Sequence, residues 1–145
     1  MKLCRFDDNR IGLVRGDAVH DVSAVLNLLP PLRYPAPFGD HLIAHLDGLR
    51  SHMERLADEA APKPTDSVRF LSPVANPSKI IGTPVNYQAH VEEAARDPEI
   101  AVYLENRARS IEEQGLFLKA SSSLVGPSEG VAVRFPDRRT DHEAE

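Results

Sequence analysis

Apolar and polar residues alternate in short bursts at the start of the chain. Lys2–Phe6, Ile11–Val14 and Ala18–Val22 each read as a strand, separated by the polar runs Asp7-Asp8-Asn9-Arg10 and Arg15-Gly16-Asp17. The pattern predicts a small β meander. The Arg-Gly-Asp tripeptide reads as its second turn rather than as an adhesion signal, because the N-terminal residues lack the apolar core of a signal peptide. Ser23–Leu29 then predicts a short helix, with Asp21 or Ser23 available to cap it. Pro30, Pro31, Pro35 and Pro37 impose a non-helical connection. The clearest periodicity follows. Leu42, Leu46, Leu49, Met53 and Leu56 recur at helical spacing and predict a helix over His41–Glu59, with Asp40 as N-cap and Pro62 and Pro64 beyond its end.

Residues 60–78 read as a linker carrying one strand, Val68–Leu71. Lys79–Val85 predicts a buried strand, Gln88–Arg96 a helix, and Glu99–Gln114 a second helical stretch with Ile100, Leu104 and Ile111 on a broken apolar face. Leu116–Leu118 predicts a strand, Ser121–Ser123 a turn, Val131–Phe135 a further strand, and Asp137–Arg139 a charged turn. Strand-rich segments on both sides of a helix give an α+β class rather than regular βαβ alternation. We expect a module over residues 1–66 and the start of a second domain over 67–145.

Composition narrows the function classes. Seventeen basic and 22 acidic residues leave a net charge of −5, without the basic footprint of a nucleic-acid binder. No apolar run approaches the ~20 residues of a membrane span, so no membrane association is expected. Cys4 is the single cysteine and has no internal partner, which points to a reducing cytoplasm. With no tryptophan and 6% aromatics, the core must rest on aliphatic residues.

Four features carry candidate chemistry. His41, His45 and His52 fall within ~40° of one another on the predicted helix at 100° per residue. With no acidic or cysteine partner in that pattern they read as a solvated flank rather than a zinc site. In Asn86-Tyr87-Gln88-Ala89-His90-Val91-Glu92-Glu93, His90 and Glu93 share a helix face. A carboxylate beside an imidazole raises its basicity and makes a general base for water, although an incidental histidine on a solvated face has the same pattern. In His142-Glu143-Ala144-Glu145, a strand would put Glu143 and Glu145 on one face. Paired carboxylates are hard oxygen ligands suited to Mg²⁺, Mn²⁺ or Ca²⁺; a frayed acidic terminus is the alternative. Lys119 ends the apolar Leu116-Phe117-Leu118 run before Ser121-Ser122-Ser123-Leu124-Val125-Gly126-Pro127, which fits an anion-binding corner or an ordinary strand-to-turn junction equally.

Taken in order, KIIGTPVNYQAHVEEA, LFLKASSSLVGPSEGVAV and DHEAE resemble the fumarylacetoacetate hydrolase family over about residues 68–145, and residues 1–60 resemble the small module that precedes its catalytic domain. The resemblance implies a mixed β-roll catalytic domain and a homodimer. It implies a metal-dependent hydrolase or isomerase acting on 2-oxo acids or 1,3-dicarbonyl compounds by C–C hydrolysis, decarboxylation or keto–enol isomerisation, in aromatic-compound catabolism. By position, Glu143 and Glu145 match the paired metal ligands, with Mg²⁺ (or Mn²⁺ or Ca²⁺) as cofactor. His90 and Glu93 match the water-activating dyad on a lid segment, and Lys119 matches the lysine of the Phe-x-Lys motif, which we place near the substrate. The family's third ligand, a downstream aspartate, has no counterpart up to Glu145. The expectation is therefore an incomplete catalytic domain, and the alternative is an inactive fragment that acts at most as an interaction module.

Overall fold

The computed structural model describes residues 1–83, Ala89, Glu92, Arg96 and residues 115–138. The end of the predicted strand at Pro84-Val85, nearly all of the two helical stretches expected over 88–114, and residues 139–145 lie outside the described residues. The chain forms two compact units, one of Met1–Ser78 with Ser121–Asp137 and one of Lys79–Ala120 with Arg138–Glu145. The class is mixed α+β, as the patterning predicted. Among the described residues, no helix is long and apolar enough to cross a membrane.

The first unit is built on the predicted meander. Strands β1 (Lys2–Phe6), β2 (Arg10–Arg15) and β3 (Ala18–Asp21) pair antiparallel, with Leu3 opposite Leu13 and Val14 opposite Val19. Asp7 and Asn9 take positive φ values of 47° and 62° in the first turn, a conformation that short polar side chains tolerate. Two short strands extend the sheet, β4 (Pro62–Pro64) beside β3 and β5 (Phe70–Leu71) beside β1, in the order β4-β3-β2-β1-β5. The linker reading missed β4 because its two prolines argue against a strand. They are tolerated because β4 lies at the sheet edge, where no further strand needs their missing N–H groups.

One face of this sheet is closed by helix packing. Ile11, Leu13, Val22, Val25, Leu49, Met53 and Ala57 form the buried cluster, with Leu3, Leu29, Leu42, Leu46 and Leu56 packed against it. All five stripe residues thus reach the core. The predicted helix is nevertheless divided into α1 (His41–Ala44) and α2 (Leu46–Glu59) at His45. The His45 ring Nδ1 donates to His41 O at 3.0 Å, the carbonyl that the His45 N–H would use in a continuous α-helix; that N–H turns to Leu42 O instead. On the opposite face of the sheet Phe6 and Val19 are fully buried, and a Cβ on Gly12 would meet Val19 Cγ1 at 2.5 Å and Cys4 Sγ at 2.8 Å. Burial pushes the Cys4 thiol up to about 11, against the opposing hydrogen bond at Gly12.

Two caps differ from the sequence reading or go beyond it. Ser23–Leu28 is a 3-10 helix whose N-cap, Val22, makes no side-chain bond. Asp21 instead accepts from Ser23 N and Ser23 Oγ, and pairs with Arg10 at 2.6 Å. Burial works to raise the Asp21 carboxyl, but the Ser23 hydrogen bonds and the nearby Arg10 and Lys63 charges hold it below its ordinary value. Asp40 caps α1 as predicted, its Oδ1 accepting from Leu42 N and Ile43 N, and its Oδ2 also accepts from Ala75 N and Asn76 N. Residues Val131–Phe135 form no strand.

In the second unit, the described residues form one antiparallel ladder. Strand β6 (Ile80–Gly82) pairs with β7 (Phe117–Lys119), Ile80 facing Lys119 and Gly82 facing Phe117.

Candidate active site

Of the residues assigned chemistry from sequence, Lys119 is described; His90, Glu93, Glu143 and Glu145 lie outside the described residues. What can be built is the platform on which the first motif begins. β6 runs from Ile80 to Gly82 and is followed by Thr83, the last described residue before the Asn86-Tyr87 motif. β7 runs antiparallel beside it, so Phe117 lies opposite the end of β6 from which that motif departs.

Gly82 and Phe117 are mutually required. A Cβ on Gly82 would meet the Phe117 ring at 2.5 to 2.9 Å, so the missing side chain is the space that the ring occupies. A glycine inside an apolar strand marks close approach of a neighbouring group. In Lys79-Ile80-Ile81-Gly82 that signal was present in the sequence, but its partner was not identifiable without the register. Lys119 lies two residues along from Phe117, on the same strand face. Its Nζ is 5.7 Å from the Phe117 ring centroid. The ammonium therefore reaches back along β7 from the level of Ile80 toward the level of Gly82, the side on which the Asn86 motif begins.

The segment after Lys119 is anchored within the first unit. Ser121–Ser123 forms a 3-10 turn. Ser128 N donates to Phe70 O at 3.1 Å and Ser128 Oγ accepts from Phe70 N at 3.0 Å, which fastens the segment to β5. Gly126 lies against the backbone of Leu71 and Ser72, where a Cβ would not fit. Its N–H donates to Glu129 Oε2 at 2.6 Å, and the other oxygen of Glu129 faces Arg69 Nη2 at 3.4 Å. Sequence reasoning passed over Ser128 and Glu129, whose roles depend on a strand 58 to 60 positions away. The Gly-Pro of the motif is thus held by backbone proximity to β5.

Among the described residues, no three His, Cys, Asp or Glu side chains are grouped to hold a metal ion. Of the three histidines, the His41 ring donates to Pro30 O at 2.9 Å and the His45 ring to His41 O, so these two each spend a nitrogen on a backbone carbonyl, whereas the Nδ1 of His52 is shut off from solvent and has no hydrogen-bond partner among the described residues.

No protein-family profile matches the chain. The whole chain is similar, at 49% identity over 145 residues, to the maleylpyruvate hydrolase of Aquipseudomonas alcaligenes. It spans about half (50%) of the length of that curated relative. Two crystal structures of maleylpyruvate hydrolase from Sphingobium sp. SYK-6 are similar in fold. One, in complex with manganese(II) ion and pyruvate, gives a TM-score of 0.55 at 33% identity over 86% of this chain and 39% of its own. The other gives 0.56 at 35% identity over 86% of this chain and 40% of its own. The similarity to these maleylpyruvate hydrolases runs along the chain, and its three motifs in their order resemble those of the fumarylacetoacetate hydrolase family.

Proposed function

We propose that the protein to which this chain corresponds is a divalent-metal-dependent hydrolase that cleaves a C–C bond in a 2-oxo acid of the maleylpyruvate class, an intermediate of aromatic-compound catabolism. The observation that carries this reading is the 49% identity to a maleylpyruvate hydrolase along all 145 residues. The manganese(II) and pyruvate of the solved relative support the choice of cation and of oxo-acid group.

In this reading Glu143 and Glu145 hold the ion. They are an oxygen-only pair, and such donors fit Mn²⁺ or Mg²⁺, which commonly bind through one or two carboxylates and keep open positions. When bound, the cation supplies positive charge at the oxo-acid oxygens. His90, its basicity raised by Glu93, takes a proton from water. The oxygen of that water bonds to the acyl carbon, the C–C bond breaks, and its electron pair leaves on the pyruvate fragment, which regains a proton. Lys119 binds a carboxylate or developing enolate oxygen of the substrate. The stretch over 88–114, read as helical from its sequence pattern alone, would serve as the lid that excludes water before the substrate is bound. A homodimer is what the family resemblance implies, and the single cysteine, Cys4, suits a reducing cytoplasm.

The test is release of pyruvate from maleylpyruvate, with Mn²⁺ titrated after chelation. We expect turnover that depends on metal, falls at least ~10²-fold in His90→Ala, and loses its metal response in Glu143→Ala. Metal-independent turnover equal in the parent and in Glu143→Ala would overturn the ligand assignment. Mn²⁺ binding to the 145-residue chain measured by calorimetry tests the pair apart from turnover, and the Glu145→Gln variant should weaken it.

A further inference from the structure

Strand β1 places an arginine on the face that otherwise builds the core. Arg5 is paired with Ile11 on β2 and with Leu71 on β5, and shares their side of the sheet. Ile11 belongs to the buried cluster on that side. The Nε of Arg5 is shut off from solvent and has no hydrogen-bond acceptor among the described residues. Among those residues, no carboxylate forms an ion pair with its guanidinium either. Buried donors are nearly always matched, and those charged groups that are not matched by the protein mark places where something else does the matching.

Arg5 opens onto a cavity of about 430 Å³ within the first unit. Asn9 and Asn76 contribute amides to its lining, and Ile11 and Leu42 contribute apolar wall. Asp40 is the one carboxylate among the described lining residues. Both of its oxygens are committed, one to Leu42 N and Ile43 N and the other to Ala75 N and Asn76 N. The guanidinium of Arg5 is therefore the charged group of this lining that is left without a partner among the described residues. It is single, planar and forked, which suits a carboxylate.

We propose that this cavity is a binding site for a small aliphatic monocarboxylate. The carboxylate sits on the guanidinium of Arg5 with the amides of Asn9 and Asn76 as further donors, and the stem lies against Ile11 and Leu42. One guanidinium without an acceptor calls for one carboxylate. An apolar wall with few polar groups is the usual make-up of a small-molecule pocket, and the volume falls within the usual range for such sites.

Isovalerate is the probe, titrated by calorimetry into the 145-residue chain with a chelator present and ionic strength held by chloride. Isovaleramide is the neutral isostere and acetate the stemless anion. We expect saturable single-site binding of isovalerate, weaker binding of acetate, and none of isovaleramide. Arg5→Gln should weaken isovalerate at least about tenfold, and Asn76→Ala severalfold, with each fold checked by circular dichroism. Amide shifts in an NMR titration should be centred on Asn9 and Ala75-Asn76. Equal binding of isovaleramide, no saturation by isovalerate, or unchanged affinity in folded Arg5→Gln would overturn the proposal. If Arg5→Gln does not fold, unchanged affinity in Asn76→Ala overturns it equally.

Discussion

Two residues show how little spare volume the first sheet has. Gly12 sits where a Cβ would reach Val19 Cγ1 and Cys4 Sγ within 2.5 to 2.8 Å, and both neighbours are held in a paired strand. Gly12→Ala should therefore destabilise by about 1–3 kcal/mol, read as a lower urea midpoint at unchanged slope. An unchanged midpoint would mean that Val19 moves aside at no cost. Cys4, on the same face, makes a pH prediction. Its thiol is raised by burial from 9.0 to about 11, so the folded chain holds that proton more tightly than the unfolded one. The contribution is fully present below about pH 9 and is lost as pH climbs through 11. Discounted for partial solvent contact, it amounts to about 1–2 kcal/mol. Stability measured across this range should fall more steeply in the parent than in Cys4→Ala, and parallel curves would contradict the burial argument. These dependences were only half legible in the sequence. A glycine between apolar residues signals close approach, yet which side chain approaches is decided by register, and register by pairing with distant strands.

At the scale of elements, local pattern was a good guide wherever the partner was adjacent in sequence. The meander, the apolar stripe and the Asp40 cap all rest on contacts within a few turns or one hairpin, and all three are present. The two departures in the helices share one cause, a polar side chain that competes for a backbone group. The His45 ring takes the His41 carbonyl and divides the helix; Asp21 gathers Ser23 and leaves Val22 at the cap position. Asp40 itself does more than spacing revealed, because its second oxygen holds Ala75 and Asn76, 35 and 36 positions away. Asp40→Ala removes the acceptor of four backbone N–H groups and should cost about 2 kcal/mol, more than an ordinary cap. Asp40→Asn keeps one acceptor oxygen and should recover about half of that. Chemical denaturation of the two variants checks the order, and equal losses would show that the bonds to Ala75 and Asn76 contribute nothing.

Among the described residues, the strands of the two units differ in how they are backed, and that bears on the site. β1, β2 and β3 are backed by buried residues on both faces, including Phe6, Leu13, Val19 and Met53 at 2% exposure or less. β6 and β7 have three residues each, and Ile81 and Leu118 on them are 53% and 70% exposed. An isolated two-stranded pair is marginal in water, so this ladder depends on what the rest of its unit supplies. The candidate site was legible as motifs because its chemistry is concentrated in short runs, whereas its geometry depends on residues that the described structure reaches only at Lys119 and the Gly82–Phe117 contact. Opening free energy follows buried contact, and amide exchange reports it residue by residue. We expect the amides of Leu13 and Val14 to exchange only on global unfolding, and those of Ile81 and Leu118 to exchange at least ~100-fold faster, a difference of roughly 3 kcal/mol. If Mn²⁺ binds through the second unit, its addition should slow exchange in β6 and β7 and leave β1–β3 unchanged. Equal protection of all four amides without metal would show that both ladders open together, and the platform under Lys119 would then be as rigid as the core.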